Sequence, residues 1–251
     1  MKKLLSTLLI LCFALNSQAQ NDTDEKKFHL GLLTVSKLNW FTAESKNLSG
    51  DGVNAGISLG LSFDQFFAKN YAFSVELLHY SGSYSVMADS LSQKSNRFGD
   101  VGIKYKERAF QIPISIKLRT GEIGYWRYFG QIGIAPLINY RSIRADYSNT
   151  GVFGSNPDDA IDRFVNENEN DFDYADASIV SDDNRRYFLE EDNVSALRVP
   201  LMVSAGAEWN LSGSTSIIMG IRYEYGLLNV MKAEGSVGRI NSFGIMAGVR
   251  F

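Results

Sequence analysis

The sequence predicts an all-β protein, an eight-stranded antiparallel up-and-down transmembrane β-barrel with short periplasmic turns and long extracellular loops. Three observations predict it. Apolar residues alternate with small or polar ones at a period of two, over stretches that match the roughly 9–11 residues a membrane-crossing strand needs. There are eight such stretches, and the connections between them are alternately long and short. The chain also begins with an export signal. An even strand count brings the last strand beside the first and removes both sheet edges, and short turns on one side with long loops on the other are the habit of outer-membrane barrels.

The export signal reads MKKLLSTLLILCFALNSQAQ: Lys2 and Lys3, an apolar core from Leu4 to Leu15, and a small-x-small site at Ser17-Gln18-Ala19. This is a secretory signal peptide over residues 1–19, followed by a short tail (20–27) and the barrel (28–251). Cys12, the single cysteine, lies in the apolar core behind Leu11, where a lipoprotein site requires a small residue. The mature chain therefore has no disulfide and depends on its sheet. Past the signal, no apolar run approaches the roughly 18 residues of a helical span. The mean hydropathy of −0.13 does not exclude a membrane protein, because alternating faces cancel in any window. Twenty-two glycines, 12% aromatics and four prolines suit an all-β chain, and a net charge of −3 argues against a nucleic-acid partner.

The first strand, Phe28 to Phe41, alternates only fairly and ends on Trp40-Phe41. The second, Gly52 to Phe63, sets Val53, Ala55, Ile57, Leu59, Leu61 and Phe63 against glycines, serines and Asn54. A connection through Asp64 to Asn70 leads to the third, Tyr71 to Gly82. In the fourth, Phe110 to Leu118 alternates cleanly, while Val101, Ile103 and Tyr105 upstream are out of phase with it. A bulge near Glu107 to Ala109 is therefore expected, which would also accommodate Pro113. Strand five is Tyr125 to Tyr140, six is Ala196 to Trp209, seven is Ser214 to Leu227, and eight is Asn241 to Phe251. A terminal Phe251 closing such a strand resembles the signal by which bacterial outer-membrane barrels are recognised for assembly.

Eight strands leave an interior that side chains can just fill. The inward positions include Glu76, Lys117, Arg198, Glu208, Arg222, Glu224 and Arg250. In so narrow a space mixed charges must be paired, so Arg198 is expected to meet Glu224, and Glu208 to meet Arg250 near the periplasmic end. The expected role of these charges is structural, a packed plug of salt bridges; an ion path is the alternative. Aromatics should gather at the lipid interfaces: Tyr71, Trp209 and Phe251 at the periplasmic belt, Trp40, Tyr105 and Tyr225 at the outer one.

The loop at 141–195 carries fourteen acids between Asp146 and Asp192 against Arg163, Arg185 and Arg186. It lacks the spacing and the glycine of an EF-hand, and is expected to be a solvated, partly mobile extracellular segment rather than a Ca²⁺ site. With only His29 and His79, a histidine-rich metal site is excluded. His79 and Ser81 share a face, a spacing similar to the His-x-Ser of outer-membrane lipid A deacylases, with Glu107 on the next strand as the acid that would orient the histidine. A catalytic dyad is the minor alternative.

Four segments resemble one family in their order along the chain: FQIPISIKL (Phe110 to Leu118), YFGQIGIAPL (Tyr128 to Leu137), YEYGLLNV (Tyr223 to Val230) and FGIMAGVRF (Phe243 to Phe251). They resemble the PorT-like outer-membrane β-barrel proteins of Bacteroidota. The resemblance covers essentially the whole mature chain. It implies an integral barrel in the cell outer membrane and adds no catalytic residues. The barrel is expected to be a monomer in contact with outer-membrane lipids and the barrel-assembly machinery, with no cofactor. The founding member is associated with secretion and sorting of surface proteins, but membership supports location and fold more than that role; an extracellular or secretion-apparatus partner is expected at the long loop. The acidic loop is not part of the family's pattern.

Overall fold

The structure, a computed structural model, describes residues 28–45, 48–88, 101–140, 143–149, 178–179, 185–188, 194–212, 215–232 and 237–251. The signal peptide and tail expected over 1–27, and most of the acidic loop, lie outside these residues.

Eight long antiparallel strands form the wall. They are β1 (Phe28–Ala43), β2 (Val53–Ala68), β3 (Tyr71–Ala88), β4 (Val101–Gln111 with Ile114–Arg119) and β5 (Trp126–Ile134 with Leu137–Asn139 and Ile143–Asn149). They continue as β6 (Leu197–Arg198 with Pro200–Ser212), β7 (Thr215–Gly226) and β8 (Gly238–Arg250). Each pairs with its neighbours in sequence, and β8 pairs with β1 from Gly31–Arg250 to Ala43–Gly238. The ring is closed. Leu30 and Phe251 seal the seam by exchanging two backbone hydrogen bonds, 2.7 and 3.3 Å.

The period of two becomes an inside and an outside. Leu59, Ile57 and Ile245 are more than half exposed on the outer wall, while Ser58, Glu76, Arg222 and Arg250 are buried inside. Water would leave so much contiguous apolar surface uncompensated, at about 25 cal/mol per Å². Rings mark both ends of the apolar band. At the short-turn end Tyr71, Trp209 and Phe251 are exposed, and Trp126 stacks on Trp209 at 5.9 Å. At the long-loop end Trp40 packs on Tyr223 at 6.2 Å, and Tyr225 is exposed beside them.

Two expectations fail on β4. β4 itself has no bulge at Glu107–Ala109: toward β3, Leu78 pairs with Gln111 and Val75 with Ile114 in one continuous register, and the register shift opposite this point, from Ala109–Asn139 to Lys106–Arg144, has its extra residues on β5. The odd residues therefore point inward along the whole strand, and Ile103 and Tyr105 are 1% exposed. Tyr105 is thus not a belt residue. It stacks on Tyr84, ring centroids 5.1 Å apart, inside an apolar cluster with Phe41, Ile103, Val194, Val230 and Ile240. The apparent phase change is a change in what the lumen holds, from polar to apolar.

The segment expected as one mobile loop also carries strand. Ile143–Asn149 continues the β5 ladder along Val101–Lys106, Arg185–Phe188 pairs with it, and Ser178–Ile179 pairs in turn with Arg185–Phe188. The backbone donors of β4 beyond Lys106 need partners, and this extension supplies them. Leu48–Gly50 pairs with the upper end of β3 in the same way.

Candidate functional site

The lumen is where the chain concentrates its chemistry. Strand tilt carries side chains of non-adjacent strands into contact across it, so its pairs are long-range in sequence. Nearest the short turns, Lys117 lies 2.8 Å from Asp64 and 2.7 Å from Glu208. Arg250 lies 3.2 Å from Asp64 and grips both oxygens of Glu208. Ser74 donates to the other oxygen of Asp64 at 2.6 Å. Two acids and two cations thus form one buried, neutral square. Arg119 beneath it stacks on the Phe66 ring, 3.9 Å from the centroid.

Midway, Arg222 binds Glu76 through two parallel hydrogen bonds of 2.7 and 2.8 Å and donates to Ser204 at 3.1 Å. Higher still, Glu224 takes donors from Lys37 at 2.6 Å, Gln111 at 3.0 Å and Ser242 at 3.2 Å. Beside this group Arg198 pairs with Glu107 and lies over the rings of Tyr80 and Tyr84. The apolar cluster around Tyr84 and Tyr105 then fills the long-loop mouth. Five carboxylates (Asp64, Glu76, Glu107, Glu208, Glu224) and five cations (Lys37, Lys117, Arg198, Arg222, Arg250) are paired here. Burial of unpaired charge would cost several kcal/mol per ion, so mutual pairing is the condition for this interior to exist.

All seven sequence-derived lumen residues lie on the inner face. Glu208 meets Arg250, but Arg198 does not meet Glu224. Arg198 is taken by Glu107 across β5, and Glu224 by Lys37 across β8, because the barrel's shear sets those side chains opposite one another. Lys37, Asp64 and Glu107 are charged lumen residues that sequence reasoning missed, whereas Gln111 lies on the inner face with Lys117 as its alternation predicts.

His79 and Ser81 lie outside this site, on the outer wall. His79 shares a 2.8 Å hydrogen bond with Tyr140 and packs edge-on to Phe110. Glu107 is on the opposite face of the sheet, held by Arg198 and Asn139, and does not orient His79. Among the described residues no group of three or more His, Cys, Asp or Glu side chains forms a metal site.

A family model described as outer membrane protein beta-barrel domain matches residues 18–232. The chain belongs to that family. It is an outer-membrane barrel, with its short turns on the periplasmic side. No curated protein matches it. Among solved structures it is similar to neisserial surface protein A (NspA), at 13% identity and a TM-score of 0.47, over 90% of this chain and 96% of the other. It is also similar to OprG of Pseudomonas aeruginosa, at 10% identity and 0.44, over 90% and 95%. Ail, the attachment invasion locus protein of Yersinia pestis, has 11% identity and 0.40, over 90% and 100%. At these levels the likeness says nothing about activity.

Proposed function

We propose that this outer-membrane barrel is a non-enzymatic scaffold that presents its long extracellular loops to a protein partner. The observation that carries the reading is the lumen. Among the described residues its charges are spent on one another and its outer mouth holds the Tyr84–Tyr105 cluster, which supports a plugged lumen over a solute path. The long acidic segment between strands five and six is the remaining concentration of charge in the sequence, and loops are where binding residues concentrate.

Within this reading the barrel is a monomer, inserted by the barrel-assembly machinery and solvated by outer-membrane lipids. The four ordered motifs support placing it with the PorT-like barrels of Bacteroidota and its partner in protein secretion or surface assembly. The test is a deletion strain. The reading expects altered secretion or sorting of surface proteins with small-solute uptake unchanged, restored by the full chain but not by a chain with residues 150–177 replaced by a short Gly-Ser linker. Lost solute uptake with normal surface proteins would replace the scaffold by a channel.

A further inference from the structure

The outer wall gathers cations on one side. On β4, Arg108, Lys106 and Lys104 follow Phe110 at two-residue steps toward the long-loop end, so the four share the outer face. Arg108 and Lys104 are exposed, and Lys106 is half-buried. β3 sets small hydroxyl residues opposite them, in the pairs Ser81–Arg108, Ser83–Lys106 and Ser85–Lys104. On the other flank, the register of β5 puts Arg144 opposite Lys106 and Asp146 opposite Lys104, and Arg185 comes next beyond Asp146. Five cations and one acid thus occupy neighbouring register positions. Across the ring on β8, by contrast, Arg239 is paired with Glu44 at 2.9 Å.

Below the column lies a shelf of rings. Phe110 packs on Tyr140 with centroids 4.9 Å apart. His79 joins both, edge-on to Phe110 at 6.1 Å and hydrogen-bonded to Tyr140 at 2.8 Å. Phe110 and Tyr140 are 47% and 40% exposed, and exposed rings at the end of an apolar band mark the lipid interface. The cations beyond them therefore stand at the depth of the outer-leaflet headgroups, where basic side chains attract anionic lipid. From Arg108 to Lys104 the column spans about 13 Å along the strand. That is more than one phosphate covers, and it suits two phosphates carried on one sugar headgroup.

We propose that this face of the barrel binds the phosphorylated headgroup of an outer-leaflet glycolipid of the lipid A class. Arg108 and Lys106, nearest the rings, take one phosphate and Lys104 takes the other, through charge-assisted hydrogen bonds. The acyl chains run down the apolar wall past Phe110. This site needs only the barrel's place in the outer membrane and is separate from the loop-borne protein partner. The chain's own acidic segment is the competing occupant of the column, and the test distinguishes the two.

The full barrel, folded in zwitterionic detergent and checked by its heat-modifiable mobility, is titrated with bisphosphorylated lipid A, and the complexes are counted by native mass spectrometry. One tightly held lipid per barrel is expected. Each cation near an anionic membrane surface is worth about fivefold in affinity. Arg108→Gln should therefore weaken binding about fivefold, and the triple change Lys104→Gln, Lys106→Gln, Arg108→Gln about a hundredfold. Lys232→Gln with Arg239→Gln, at the same end of the barrel, should leave binding unchanged. Lipid A stripped of both phosphates should bind the wild-type chain no better than intact lipid A binds the triple variant. Equal binding by phosphatidylglycerol, or a triple variant that binds as the wild type does, would overturn the proposal. Lipid A binding that appears only when residues 150–177 are replaced by a Gly-Ser linker would overturn it as well, and would assign the column to the acidic segment.

Discussion

Arg222 on β7 spans the lumen to Glu76 on β3 and holds both carboxylate oxygens, at 2.7 and 2.8 Å. The two residues are 146 positions apart, so this pair ties together strands that share no ladder. Glu76→Gln leaves the guanidinium buried beside a neutral amide, and removing one partner of such a pair costs about 3–5 kcal/mol. Urea unfolding in detergent micelles, followed by heat-modifiable gel mobility, should show that loss. The double change Glu76→Leu with Arg222→Met should recover most of it, since an apolar pair of similar volume removes both charges.

The periplasmic square predicts strong coupling. Lys117 and Arg250 share Asp64 and Glu208, so each cation partly compensates for the loss of the other. In a double-mutant cycle, Lys117→Met and Arg250→Met together should depart from additivity by about 0.5–3 kcal/mol. A purely additive result would mean that the four groups act as two separate pairs.

Close strand approach at Gly206 predicts a packing-sensitive position. A side-chain carbon there would meet the carbonyl of Met219, the Phe129 ring at 2.7 Å and Gly220 Cα at 2.9 Å. Gly206→Val should therefore reduce the yield of folded, heat-modifiable barrel at least several-fold, whereas Ala205→Val on the exposed outer face should leave it unchanged.

His79 and Ser81 supply a chemical test. With Glu107 committed to Arg198 on the other face of the sheet, His79 has Tyr140 as its partner. Lipid A from cells expressing the barrel should match that from cells lacking it, and Ser81→Ala should change nothing. Lipid A that is altered by the barrel and reverts with Ser81→Ala would make the protein a lipid-modifying enzyme.

Much of the wall was legible because period-two patterns over β2, β6 and β8 have one structural solution. What was not legible has identifiable causes. Lys37 was hidden because its lumen face also carries Leu33 and Val35, so β1 reads as apolar on both sides. Asp64 was counted into a turn, because β2 continues to Ala68 past the end of its clean alternation. Ile103 and Tyr105 looked lipid-facing because an apolar lumen plug has the same signature as a bilayer. The partners of Arg198 and Glu224 depend on the shear of the closed ring, which no single strand encodes.

Single-channel recording in planar lipid bilayers bears most directly on the closed lumen. The wild-type barrel, inserted and shown to be folded by its mobility shift, should give no stable conductance steps. Trimming the outer plug with Tyr84→Ala and Tyr105→Ala should raise leak above that baseline. Regular ohmic steps from the wild-type protein, unchanged by those substitutions, would contradict a plugged lumen and make this barrel a pore.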